Sequence, residues 1–330
     1  MSQFGTVFCD SIAIAHYRDG AWQEPAIEAL APLQLHPAAH VLHYSSTCFE
    51  GFKAYRWDDG KARIYRLDDH VARMQRSTAS LALPIPDAEL LRGMVLDIVA
   101  HNVDDIPAPP SSLYLRPTLI GTLPNIGAAA APSTEAMLFV LASPVGDYFT
   151  SGAAALKLLV EDGRERTTEQ LGSTKTGGNY AAALGPTLAA KEKYGVDQVL
   201  FCPNGDVQET GAANFLLISD DEILTKSLDT TFLHGMTRDS VLRLGAEMGY
   251  RISERPFTVD ELLEKVSTWE ACLSGTAATL TSVGSLVYKG EEIKVRDGQP
   301  GPNRAKLQKA LQDIQYGLAT DTHGWLTEVG

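Results

Sequence analysis

Cysteine is scarce in this chain of 330 residues: Cys9, Cys48, Cys202 and Cys272 lie far apart, with no CxxC or other metal-ligand spacing. That pattern excludes a disulfide-stapled scaffold and the common zinc modules, and it predicts reduced thiols in a cytoplasmic protein. Positive charge is also short. Lys and Arg number 28 against 41 Asp and Glu, a formal net charge of -13. No basic face stands out to displace phosphate counterions, so no nucleic-acid partner is expected. No apolar run approaches the roughly 20 residues that a membrane helix needs. The N-terminal stretch lacks a basic region followed by an apolar core, so neither a membrane partner nor a signal peptide is expected. GxxxxGK[ST], HExxH, GxSxG and a GxGxxG after a strand are all missing. His36 and His40 are separated by Pro37 and have no third ligand nearby, so they read as structural and no metal site is expected.

The length fits two domains, with boundaries expected at 1–142 and 153–330 around a turn-rich linker, 143–152. Residues 38–57 carry spaced aromatics and read as strands. Asp68 reads as the N-cap of a helix over 69–83, and a second helix follows over 87–102. The runs 112–120 and 136–142 read as strands. Beyond the linker, Pro203-Asn204-Gly205 predicts a hairpin between 198–202 and 206–209, and 214–218 with 222–225 a second one. Helices are expected over 180–194, 237–248, 258–266 and 303–318, the third opened by a Thr258/Glu261 capping box. Strands and helices interleave without a regular βαβ rhythm, so the expected fold class is α+β, or mixed α/β.

Four short stretches carry chemistry. In S173-T-K-T-G-G-N-Y180, Lys175 precedes two glycines, which ordinarily mark a turn. A lysine that condenses with an aldehyde must be uncharged when it attacks. In Q208-E-T-G-A-A-N-F215, Glu209 ends a strand, where such residues are commonly just solvated. In G235-M-T-R-D239, Gly235 and Thr237 open a helix whose free amides suit a phosphate, although an ordinary N-cap is the commoner use. L273-S-G-T-A-A278 runs a strand into small residues, as plain tight turns also do. Arg73 adds a cation on a helix, a place where most arginines are surface residues. A lysine, a carboxylate and two phosphate-type turns are together the parts that pyridoxal 5'-phosphate requires.

The sequence resembles the branched-chain amino-acid aminotransferases of the fold-type IV pyridoxal-phosphate family. The resemblance runs over nearly the whole chain. Its first marks are Leu35-His36-Pro37, His43-Tyr44, F49-E-G-F-K-A54 and Tyr114-Leu115-Arg116-Pro117. Further along come S143-P-V-G146, K175-T-G-G-N-Y180, Q198-V-L200, E209-T-G-A-A-N214, M236-T-R-D-S240, S274-G-T-A277 and I314-Q-Y-G317. It implies a two-domain fold like that of D-amino-acid aminotransferase, with a smaller N-terminal α/β domain and a larger C-terminal, β-barrel-like domain with helices. Lys175 is implied as the Schiff-base lysine and proton shuttle, Tyr180 as the partner of the cofactor's phenolic oxygen, and Glu209 as that of its pyridine nitrogen. Arg73, the backbone of Met236 and Thr237, and Thr276 are implied for the phosphate. Tyr44 with the amides of Ala212 and Ala277 would take the substrate α-carboxylate. Phe49 and Tyr114 would line the apolar pocket, and Arg116 with Tyr114 would receive the distal carboxylate of glutamate or 2-oxoglutarate. The reaction implied moves the amino group of L-leucine, L-isoleucine or L-valine to 2-oxoglutarate. The implied assembly is a homodimer in which the 121–127 loop reaches the partner's site.

Some residues depart from the family pattern. Thr210, Ala212 and Ala213 replace the valine, threonine and methionine common in relatives, which leaves backbone recognition intact. T225-K-S-L228 and L233-H-G235 replace proline-rich stretches, with Lys226 and His234 bearing on substrate preference. A-T-L-T281 follows S274-G-T-A277, so the redox CxxC of animal mitochondrial relatives is absent. Within the fold type, a D-amino-acid transaminase and an aminodeoxychorismate lyase are the alternatives, and Tyr114-Leu115-Arg116-Pro117 with I314-Q-Y-G317 favours the branched-chain reading. A phosphate-binding module without catalysis is the alternative from another class, and it requires an inert Lys175. Thr176 has no role that the sequence assigns.

Overall fold

The computed structural model describes residues 4–127, 131–146, 155–277 and 279–330. It divides into two compact units, one of Met1–Thr150, Thr174–Gly177 and Ile314–Gly330, the other of Ser151–Ser173 and Gly178–Asp313.

The first unit opens with β1 (Ser11–Arg18), β2 (Ala21–Trp22) and β3 (Ala26–Ala29), then α1 (His40–Tyr44), β4 (Thr47–Phe49), β5 (Phe52–Arg56) and β6 (Ala62–Tyr65). Two helices follow, α2 (Leu67–Ser80) and α3 (Ala88–His101), and then the long hairpin of β7 (Ser112–Gly121) and β8 (Ala136–Val145). The sheet is antiparallel in all its pairs, and one face carries α2 and α3 over a core that includes Phe52, Ile64, Met74, Met94, Ile98 and Leu115.

The second unit contains β9 (Leu156–Glu161), α4 (Gly177–Tyr194), β10 (Gln198–Phe201), β11 (Asn214–Ile218), β12 (Glu222–Thr225), α5 (Met236–Glu247) and β13 (Arg251–Glu254). It continues with α6 (Val259–Lys265), β14 (Glu270–Gly275), β15 (Thr279–Tyr288), β16 (Glu291–Lys294) and α7 (Pro302–Gln315). Its sheet runs β10-β9-β15-β14-β11-β12-β13, mixed parallel and antiparallel, with β16 beside β15. Phe215, Leu217, Ala271 and Leu273 fill the core on one face. The alternate residues of β11 and β14 turn to the other face by the period-two rule. A last strand, β17 (Leu326–Val329), pairs with β6 in the first unit.

Several expectations are corrected. Within 38–57, His40–Tyr44 is a helix, too short to show a helical period in sequence. Asp68 lies inside the first turn of α2; the N-cap is Arg66, held in the left-handed region at φ 57°, and Asp68 instead pairs with Arg92. Ser143–Val145 continue β8 rather than begin a linker, while 147–152 lie outside the described residues. Residues 206–209 form no ladder strand. The turn before them is nonetheless real, since Phe201 and Glu209 hydrogen-bond across it, with Asn204 and Gly205 at positive φ. α4 begins at Gly177, three residues early, and neither Gly177 nor Gly178 has a positive φ. The glycine pair therefore starts a helix and does not form a tight turn.

Candidate active site

In the first unit, Lys175 follows β4 side by side without being part of the sheet. Its carbonyl accepts from the Phe49 amide at 3.0 Å, and its own amide donates to Ser77 Oγ at 3.0 Å. Buried Thr176 donates its hydroxyl to the Thr47 carbonyl at 2.7 Å and bridges to Cys48. That supplies the role the sequence left open: Thr176 locks the backbone that presents Lys175.

Phe49 is the hub of this unit's cluster. Lys175 Nζ lies 5.0 Å from the centre of its ring, and the Arg116 guanidinium 4.7 Å from the same centre. Arg116 Nη2 donates to Tyr114 Oη at 2.9 Å, and its Nε is buried with no hydrogen-bond partner among the described residues. Tyr114 packs so closely on the chain turn at Gly51 that a Cβ there would overlap its hydroxyl. Tyr44 donates to the carbonyl of Ile126, which ties it to the 121–127 loop. Lys175, Phe49, Tyr114 and Arg116 are thus brought together within one unit.

Arg73 is buried rather than exposed. Its Nε and Nη2 donate to the two oxygens of Glu50 at 2.7 Å each, and His70 Nδ1 lies 2.7 Å from Glu50 Oε2. Burial works to raise the Glu50 carboxyl, but Arg73 and His70 outweigh it and hold it well below the usual carboxylate range. Burial keeps the His70 imidazole below its ordinary value despite the pull of Glu50. The imidazole stacks on Phe52 with ring centres 4.6 Å apart. Charged Glu50 and neutral His70 therefore fix the geometry of the Arg73 fork.

In the second unit, Glu209 is buried and heavily partnered. Arg166 Nε sits 2.8 Å from Oε1 as a close ion pair rather than an aligned hydrogen bond. The Leu233 amide donates to Oε1 at 3.0 Å and Asn214 Nδ2 to Oε2 at 3.1 Å. Tyr180 is half-buried in the first turn of α4. Asn179 beside it anchors that turn, donating to the Leu171 carbonyl at 2.7 Å and accepting from Thr167 Oγ1 at 2.6 Å.

Met236 and Thr237 start α5, whose N-cap is Gly235 and carries no side-chain cap. A Cβ on Gly235 would overlap the Asn214 amide oxygen, so the chain enters α5 pressed against β11. Thr276 and Ala277 form the turn after β14. Gly275 lies beside Ala212 and Ala213, so the two predicted carboxylate-binding turns are neighbours. Thr210 closes the 210–213 turn through bonds to Ala213. Lys226 is buried and pairs with Asp206 and Asp229, and His234 bonds the Asp229 carbonyl at 2.7 Å. Those two departures from the family pattern thus stiffen the loop that leads to α5.

Sequence reasoning missed Glu50, His70, Arg166, Asn214 and Ser274. Glu50, Asn214 and Ser274 stand inside quoted motifs, which was the one available signal. Arg166 lies 43 positions before Glu209, and nothing local marks their pairing.

Comparison with known proteins follows the same lines. The class IV amino-transferase family matches residues 47–286. Branched-chain-amino-acid aminotransferase 2 of Bacillus subtilis (strain 168) is 36% identical over 335 residues, covering 99% of this chain and 92% of that protein. The branched-chain-amino-acid aminotransferase of Mycobacterium tuberculosis (strain CDC 1551 / Oshkosh) is 34% identical over 344 residues, with the same coverage of 99% and 92%. Among solved structures, the T.th. branched-chain amino acid aminotransferase with pyridoxamine 5'-phosphate superimposes with a TM-score of 0.83 at 26% identity. The match covers 98% of this chain and 100% of that one. The fold is that of the fold-type IV aminotransferases. The chain belongs to the class IV amino-transferase family, among its branched-chain-amino-acid aminotransferases.

Proposed function

We propose that this protein transfers the amino group of L-leucine, L-isoleucine or L-valine reversibly to 2-oxoglutarate, with pyridoxal 5'-phosphate as cofactor. The observation that carries the substrate reading is the first-unit cluster. Phe49 and Tyr114 give an aromatic wall suited to branched aliphatic chains, while Arg116, whose buried Nε has no hydrogen-bond partner among the described residues, suits a distal carboxylate. One pocket must accept both, and a buried carboxylate needs such a partner. The relatives' names favour this reading over a D-amino-acid transaminase or an aminodeoxychorismate lyase.

The donor set fits the cofactor. Buried Glu209, kept among donors, suits a protonated ring nitrogen, and Tyr180 suits the phenolic oxygen. The uncapped start of α5 at Met236 and Thr237, with Thr276 and Arg73, suits the phosphate. When bound, the cofactor supplies the electron sink that lets the substrate Cα–H bond ionise. Lys175 Nζ is the amine that would anchor the cofactor's aldehyde between turnovers, and it would carry the proton lifted from the substrate Cα. Tyr44 with the Ala212 and Ala277 amides orients the α-carboxylate, and Thr176 with Ser77 keeps the Lys175 backbone in register.

The assembly we infer is a homodimer, with the 121–127 loop reaching the partner's site; Ile126 on that loop is exposed. The four free, buried thiols support a reducing, cytoplasmic setting. Among the described residues no helix is long and apolar enough to cross a membrane. The test pairs two variants. Lys175→Ala should abolish turnover while the fold persists by circular dichroism, and near-normal transamination would sink the assignment. Arg116→Ala should lower kcat/KM for 2-oxoglutarate on the order of a hundredfold, and far less for the 2-oxo acid of leucine. Equal losses for both would remove Arg116 from distal-carboxylate recognition.

A further inference from the structure

Glu270, Cys272 and Ser274 alternate along β14 and so share one face of the second unit's sheet. At the Glu270 end a helix start is closed by the chain itself. Buried Glu270 accepts from the amides of Asn303 at 2.9 Å and Arg304 at 2.8 Å, the first turn of α7. At the other end stands Ser274, 2% exposed, whose Oγ has no hydrogen-bond partner among the described residues.

Ser274 is directly opposite Asn214 in the antiparallel ladder, and directly opposed residues point to the same side. The Asn214 side chain donates to the Leu233 carbonyl at 2.8 Å and presses on Gly235, so that side is where the chain enters α5. α5 itself packs on β14. No side chain among the described residues accepts from the amides of Met236, Thr237 or Arg238. A helix start with open amides carries positive potential. A buried hydroxyl left without a partner costs stability unless something absent completes it.

We propose that Ser274 is a direct ligand of the anionic group seated at the start of α5, donating its hydroxyl to a phosphate-monoester oxygen. This rests on the pyridoxal-phosphate reading given above and adds a residue to it. A neutral donor is the side chain this position requires, because a carboxylate there would close α5 as Glu270 closes α7.

The test titrates full-length apoprotein, wild type and Ser274→Ala, with pyridoxal 5'-phosphate and with pyridoxal, which lacks the phosphate. Ser274→Ala should raise the Kd for pyridoxal 5'-phosphate about tenfold and leave that for pyridoxal unchanged. The phosphorus-31 resonance of the bound cofactor should shift as well. The apo variant should melt no lower than apo wild type, since it discards a hydroxyl that has no partner. An unchanged Kd for pyridoxal 5'-phosphate overturns the proposal. So do equal losses for both compounds, or a destabilised apoprotein whose melting temperature the cofactor still raises by the wild-type amount. Failure of wild type to bind either compound would instead overturn the pyridoxal-phosphate reading, and the Ser274 role with it.

Discussion

Three helix starts in the second unit are built in three ways. α7 is closed by a carboxylate from a neighbouring strand, Glu270, and α6 by its own N-cap, Thr258, whose hydroxyl accepts from the Glu261 amide at 3.2 Å. α5 has glycine at its N-cap and no side-chain cap. The same backbone dipoles exist at all three ends, and only the side chains in front of them differ. The α7 and α6 ends are finished by the fold. The α5 end has no such side chain, and on the proposed reading it is left for the anionic group of a ligand to complete.

Substitutions that exchange these three conditions test the comparison. Ser274→Asp should have the largest effect, because it sets a fixed negative charge before α5 as Glu270 does before α7. Affinity for pyridoxal 5'-phosphate should fall on the order of a hundredfold or more, read by fluorescence titration, through repulsion of two like charges. Unchanged affinity would mean that Ser274 does not face the α5 end. Glu270→Ala should cost about 2–3 kcal/mol in denaturant unfolding, because it strips two α7 amides and Arg296 of their acceptor. A loss under about 0.5 kcal/mol would show that water replaces the carboxylate. Thr258→Ala should cost about 1 kcal/mol, the usual worth of an N-cap hydroxyl. Neither of these last two should move cofactor affinity directly.

The buried Glu50–His70–Arg73 group of the first unit makes a smaller contribution near neutral pH, and its sign is opposite to that of a charged histidine pair. His70 is held below its ordinary value, so the unfolded chain takes up a proton near pH 6.5 that the folded chain refuses. Stability should therefore fall as pH drops through about 6.5, and His70→Gln should flatten that slope. Glu50 is depressed, so its contribution is complete above about pH 4.3 and is lost only as pH falls further. A slope near pH 6.5 that survives in His70→Gln would assign it to another group.

Much of this was legible in the chain. The helix over 88–101, the 214–225 hairpin, the Thr258 capping box and the Gly249 stop follow from periodicity and local turn chemistry. Lys175, Glu209, Met236 and Thr237 stood out as candidates because motifs keep polar groups beside the turns that present them. Where reasoning failed, a distant partner decided. Arg66 takes the left-handed N-cap of α2 while its amide bonds the carbonyl of Trp325, far along the chain. Arg73, which looks like a surface residue by local pattern, is buried because Glu50 neutralises it and His70 bonds Glu50 in place. β17 has no distinctive pattern and exists because β6 offers it an edge.

The sequence alone indicated the class of fold and marked the lysine, the glutamate and the helix start as candidates, since motifs are read from neighbours a few residues away. It also set the expectations that no CxxC spacing and no basic face would be found. Only the tertiary structure decided which groups are partnered: Arg166 against Glu209, Glu50 beneath Arg73, Glu270 across α7, and Ser274 Oγ with none among the described residues. Hydrogen bonds act over about 3 Å, and residues dozens of positions apart meet at that range only once strands have settled their register.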